Sequence, residues 1–190
     1  MMKRFFTGVV LLLLFTSCAG TKTFKGRADL HGAVYDAKSR PVPNCVILLD
    51  GKEKALTDIN GRFVLYGLQS AAYTIEACSS YCERYTGEVQ FLNETQYILI
   101  KVVDNETLYE SVEKQFSQSD LSKAEEEIFR LLRINPDNPN AVMYLAVLRY
   151  KEEDKAASLR ILLDAERRGI SDIWMQSFIK KMEEENENNS

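Results

Sequence analysis

The chain has 190 residues, 45% of them apolar, with 24 basic and 28 acidic side chains and a net charge of −4. That length and apolar content supply one large domain or two small ones with a packed core, and they exclude a disordered chain. The charge is uneven: residues 27–103 hold 8 basic and 9 acidic side chains, residues 104–190 hold 12 and 19. The C-terminal half therefore repels a phosphate backbone, and nucleic acid is excluded as a partner.

At the N-terminus, Lys3 and Arg4 precede an apolar run from Phe5 to Phe15, and Thr16-Ser17-Cys18 follow directly. The run is too short to span a bilayer as a helix, which takes about 20 residues, and it has the size of a secretory-signal core. The small pair before a single cysteine resembles the lipobox of bacterial lipoproteins, with Phe15 where the box usually carries Leu. The resemblance implies a signal peptide over 1–17 and lipid attachment at Cys18, with acyl chains such as palmitate holding the mature chain on a membrane. The alternative is an ordinary signal cleaved near Ala19. Loss of Lys3 and Arg4 leaves 22 basic against 28 acidic side chains, or −6, so the lipid rather than a basic surface makes the membrane contact. Ala19 is not an inner-membrane retention aspartate, which by analogy with lipoprotein sorting points to the outer membrane, facing the periplasm.

Residues 18–27 are short, polar and glycine-containing, and read as a lipidated tether. From 28 to 103 short apolar runs are cut by turns. Leu30, Gly32, Val34 and Asp36 alternate with His31, Ala33 and Tyr35; Cys45 to Leu49 stops at Asp50-Gly51; Phe63 and Leu65 alternate with Val64 and Tyr66. Tyr73, Ile75 and Ala77 form a further run, and Tyr97 to Val103 closes the region. About seven strands at this spacing predict an antiparallel β-sandwich. Alternation assigns Tyr73 and Tyr97 to the core side, with Tyr66 and Tyr81 outward. Gly32-Ala33-Val34-Tyr35-Asp36, Pro41-Val42, Thr57-Asp58-Ile59-Asn60-Gly61-Arg62-Phe63, Gly67-Leu68 and Tyr73-Thr74-Ile75 come in an order that resembles the carboxypeptidase regulatory-like domain, a transthyretin-like sandwich. The resemblance implies a non-catalytic module, since such domains accompany peptidase domains and none is encoded here.

From 104 to 190 the period becomes helical. Leu108, Val112 and Phe116 share one face; Ala124, Ile128, Leu131 and Leu132 continue on the next segment; Asn135 to Pro139 break the chain. A shift of 34 residues places Phe116 on Tyr150, Asp120 on Asp154, Ala124 on Ser158 and Ile128 on Leu162. The period and the small residue at 124 and 158 resemble tetratricopeptide repeats, here two degenerate ones over 105–138 and 139–172. A last helix near 172–185 caps them, and the acidic end from Glu183 to Ser190 frays. The fold class expected is thus α+β in two domains, a seven-stranded antiparallel sandwich followed by a helical hairpin-repeat domain.

Catalytic groups are hard to find. His31 is the sole histidine and has no local nucleophile motif. Runs such as Glu125-Glu126-Glu127 read as solvated helix faces. The glutamate that would close a calcium loop after Asp58-Ile59-Asn60-Gly61 is absent, with Gln69 in its place. Three cysteines remain after Cys18; a staple between Cys78 and Cys82 and reduced packing thiols are both open, while metal spacing is lacking. No cofactor, no metal and no small-molecule substrate are expected. The expectation is a non-enzymatic, membrane-anchored envelope lipoprotein that binds a protein partner as a scaffold module. Gln115, Tyr144 and Arg149, on the first helix of each pair, are the expected partner-binding residues. The alternative is glycan or cell-wall binding through the sandwich, with clustered outward Tyr66, Tyr81 and Tyr85 as its sign and an apolar groove at 139–172 as the sign of a protein partner.

Overall fold

The computed structural model describes residues 23–187, with side chains described to Glu185. The expected signal segment 1–17 and the expected lipid attachment residue Cys18 lie outside the described residues. Seven strands come first: β1 (Ala28–Tyr35), β2 (Val46–Leu49), β3 (Lys52–Leu56), β4 (Arg62–Leu68), β5 (Ala71–Cys78), β6 (Tyr85–Phe91) and β7 (Tyr97–Lys101). Five helices follow: α1 (Asn105–Ser117), α2 (Leu121–Ile134), α3 (Pro139–Lys151), α4 (Lys155–Arg167) and α5 (Ile173–Glu187). The strands form a three-stranded sheet, β4-β1-β7, and a four-stranded sheet, β3-β2-β5-β6. All pairs are antiparallel except β1 with β7, which run parallel.

Alternation builds this core. Leu30, Val34, Ile47, Phe63, Leu65, Ile75 and Phe91 point between the sheets and are buried. Gly32 lies under Phe63: a Cβ there would stand 2.5 Å from the Phe63 ring, so glycine lets the ring cross β1. The β3–β4 turn is closed locally. Asp58 Oδ1 accepts the amides of Asn60 and Arg62, each at 2.8 Å, and Gly61 takes a positive φ of 72°. Strand β3 lacks a readable alternation, because charged Lys52, Glu53 and Lys54 fall together, whereas in β6 exposed Thr86, Glu88 and Gln90 alternate with Gly87, Val89 and Phe91.

Not every expectation holds in the structure. Tyr97 faces solvent at 54% exposure, because β7 is an edge strand whose inward residues are Ile98 and Ile100. The tether is not wholly free: Phe24 packs edge-on against Phe91, with ring centroids 5.0 Å apart. Within the acidic end expected to fray, α5 continues to Glu187 and Glu185 accepts hydrogen bonds from Tyr150 (3.0 Å) and Lys155 (2.6 Å), while residues 188–190 lie outside the described residues. The three described cysteines are thiols. Cys82 is buried in the core and Cys78 is half-buried at the end of β5, and the Cys78–Cys82 staple is not formed.

The helices are started by one device repeated. Asp104, Asn138 and Asp172, spaced by 34 residues, accept the amides of Thr107, Ala141 and Met175. Asp120 and Asp154, with the same spacing, accept those of Lys123 and Ala157. Buried positions repeat likewise: Leu108 with Val142, Val112 with Ala146, Ile128 with Leu162.

Candidate partner-binding site

The expected partner-binding residues do not converge. Tyr144 on α3 turns toward α1, where its ring lies 6.0 Å from that of Tyr109 and 6.1 Å from that of Phe116. Its hydroxyl donates to Glu113 at 2.8 Å, and burial together with that carboxylate pushes the phenol above its ordinary value. Arg149 turns the other way, donating to Glu125 on α2 and to Glu152 at 2.7 Å. Five residues of helix separate the two side chains by roughly 140° of rotation, so they sit on different faces. Gln115 is half-buried at the end of α1. Tyr144 and Arg149 thus serve helix–helix packing.

The open groove lies between α2, α3 and α4. Leu132, Val142, Leu145 and Ile161 form an apolar floor, Pro136 closes one end, and Arg160, Arg167 and Arg168 stand along the rim, enclosing about 490 Å³. Arg167 reaches Asp164 at 3.2 Å, and Arg168 reaches Asp137 at 2.8 Å. Arg160 has no hydrogen-bond or ion-pair partner among the described residues. Across the α4 ridge, Ala156, Leu159 and Leu163 line a second hollow of about 860 Å³ that shares Arg160 and Arg167. Positions 156, 159 and 163 fall on one helix face, and Leu163 is 38% exposed. An apolar floor bounded by guanidinium groups is suited to a segment bearing apolar and acidic side chains. Asp164 is the single carboxylate of the groove and is held by Arg167 and Arg168.

Of the tyrosines, Tyr66, Tyr81 and Tyr85 do not cluster. Tyr66 lies on the outer face of the three-stranded sheet, Tyr81 donates to the Pro43 carbonyl at 3.2 Å near the domain junction, and Tyr85 packs against the sandwich core. Sequence reading missed Arg160, Leu145 and Ile161. The signal was present in α4, where an apolar stripe carries arginines on both flanks, but a helix turned toward solvent and one turned toward a groove share that pattern.

No protein-family model matches the chain, and no curated protein matches it. Among solved structures the chain is similar to a putative carbohydrate binding protein from Pseudomonas aeruginosa, at 14% identity and a TM-score of 0.34, over 40% of this chain and 88% of that one. It is similar to BcpA, the major pilin subunit of Bacillus cereus, at 13% identity and 0.34, over 42% and 30%. A cohesin–X-dockerin complex from Acetivibrio cellulolyticus is similar at 16% identity and 0.32, over 43% and 60%.

Proposed function

We propose that this chain is a non-catalytic lipoprotein of the bacterial cell envelope, held by lipid on Cys18 at the outer membrane facing the periplasm. There it docks an apolar, acidic segment of a partner protein in the groove between α2, α3 and α4. The observation that carries this reading is the apolar floor of Leu132, Val142, Leu145 and Ile161 beside the unpaired Arg160. An uncompensated guanidinium beside a dry floor gives both an anchor for a carboxylate and apolar area to bury. The sandwich places this groove at a fixed distance from the tether, because ion pairs lock it to the start of α1 and to α2.

The test uses the full chain in cells. A photo-crosslinking residue at position 160 yields a discrete protein adduct, one at position 113 on α1, outside the groove lining, yields none, and Arg160→Glu combined with crosslinking from position 161 reduces the adduct about tenfold. An adduct from position 113 alone, or from neither position, overturns the groove assignment. Cys18→Ala shifts the protein from the membrane to the aqueous fraction; retention in the membrane fraction overturns the lipid anchor.

A further inference from the structure

The outer face of the sheet β4-β1-β7 holds a trough of about 530 Å³, separate from the helical groove. Its floor is set by register. Val64 on β4 and Tyr97 on β7 both stand opposite His31 on β1, and Tyr66 lies two residues further along β4. Strand spacing and rise put the Cα atoms of Tyr66 and Tyr97 about 12 Å apart. Tyr66 is 76% exposed and Tyr97 54%. Lys54 from β3 and Arg62 at the start of β4 complete the lining with Asp58.

The polar tips of this trough are unspent. The hydroxyls of Tyr66 and Tyr97, the His31 ring, the Lys54 ammonium and the Arg62 guanidinium have no hydrogen-bond or ion-pair partner among the described residues. Asp58 is the exception, since Oδ1 is occupied by two backbone amides. Lys54 and Arg62 thus set two cations against the one carboxylate of Asp58, on a chain whose net charge is −4. A protein anchor asks for a desolvated pocket with an apolar centre. This surface instead offers two separated aromatic faces, each with a wet polar end, and cations beside them. Sugar rings fit that arrangement, since they present C–H faces to aromatics and hydroxyls to polar tips, and a carboxylate on the sugar meets the planar fork of Arg62.

We propose that this face binds an acidic oligosaccharide, with Tyr66 and Tyr97 stacking on sugar rings and Arg62 and Lys54 receiving a sugar carboxylate. The proposal is independent of the helical groove and survives its failure.

The experiment is titration calorimetry of the full-length protein in detergent, with oligogalacturonate as probe and its methyl ester as the uncharged counterpart. Oligogalacturonate is expected to bind, and the ester to bind at least about fivefold more weakly. Tyr66→Ala and Tyr97→Ala each weaken binding about tenfold, and Arg62→Gln combined with Lys54→Gln brings acid and ester to equal affinity. Arg160→Glu, in the helical groove, leaves binding unchanged. These side chains are exposed, so an unshifted melting temperature establishes that the variants remain folded. Absence of binding by the folded protein at millimolar probe overturns the proposal, as does affinity undiminished in the Tyr66→Ala/Tyr97→Ala double variant. A protein adduct from a photo-crosslinking residue at position 66 in cells would equally overturn it, in favour of a protein partner.

Discussion

Arg40 and Asp104 are 64 residues apart in the chain and meet at 2.6 Å, one carboxylate thereby ending the sandwich and starting the helical domain. Asp104 Oδ1 caps α1 through the Thr107 amide at 3.1 Å, while Oδ2 accepts from Arg40. Arg40 also donates through Nε to Asp36 at 2.6 Å, and its neighbour Lys38 reaches Glu106 and Glu110 at 3.0 and 2.6 Å. A second clasp joins Glu83, after β5, to Arg130 on α2 by two hydrogen bonds of 2.9 and 2.6 Å.

Breaking the second clasp destabilises the docked pair. The side chains of Arg130 and Glu83 are each about three-quarters buried, and their geometry is a two-bond fork. Arg130→Met is expected to lower unfolding free energy by about 1–2 kcal/mol in urea titrations, after allowance for solvent screening. Adding Arg40→Met splits the single transition into two, one per domain. A single, unshifted transition in the double variant would show that the domains dock by other means.

Acid weakens both clasps. Burial pushes Asp36 up, but hydrogen bonds from the Arg40 amide and guanidinium and from the Lys38 amide outweigh it and hold the carboxyl below its ordinary 3.8. The Arg130 guanidinium holds Glu83 below its ordinary 4.5. Groups depressed on folding add stability that is fully present above their unfolded values and lost as pH falls through their folded ones. Stability is therefore level with respect to these groups above about pH 5 and declines below 4.5. In Arg130→Met the decline is shallower, read from denaturation midpoints between neutral pH and acid.

The sandwich thiols should separate by reactivity. Burial pushes the Cys45 thiol up to about 11 and the Cys82 thiol up to about 12, so little thiolate forms at neutral pH. Cys78 is half-buried. In reduced, folded protein, alkylation followed by peptide mass spectrometry is expected to modify Cys78 first. Modification of Cys82 at the same rate would mean that the segment joining β5 to β6 opens under native conditions.

The sandwich was legible wherever apolar residues alternate: Leu30 to Val34, Phe63 to Leu65 and Tyr73 to Ala77 all face as their period implies. It was illegible in β3, where charged Lys52, Glu53 and Lys54 fall together and pairing is set by register to neighbours rather than by side-chain pattern. Tyr97 failed for a related reason, since an edge strand of alternating large apolar residues does not reveal which set faces in. The helices were legible through their apolar period and the 34-residue interval. Which face of each helix stays open was not, because Tyr144 and Arg149 look alike as amphipathic surface residues until α1 and α2 are placed on either side of α3.

The small residue shared by both repeats tests how closely the helices must approach. Ser158 on α4 is fully buried, and its hydroxyl donates to the Ala146 carbonyl on α3 at 2.8 Å. That carbonyl already accepts an amide within its own helix, so removing the hydroxyl orphans nothing. Ser158→Ala is therefore expected to change stability by less than about 1 kcal/mol. Enlarging the residue is a different matter, because α3 and α4 meet there through Ala146 and Ser158, both without accessible surface. Ser158→Leu forces the helices apart and is expected to destabilise by about 1–3 kcal/mol or more. Because Leu145 and Ile161, which floor the groove, sit on those two helices, the same variant should also abolish the crosslink from position 160 while the acidic-sugar titration of the sandwich is retained. Loss of both activities would mean that the two domains do not fold independently of the α3–α4 contact.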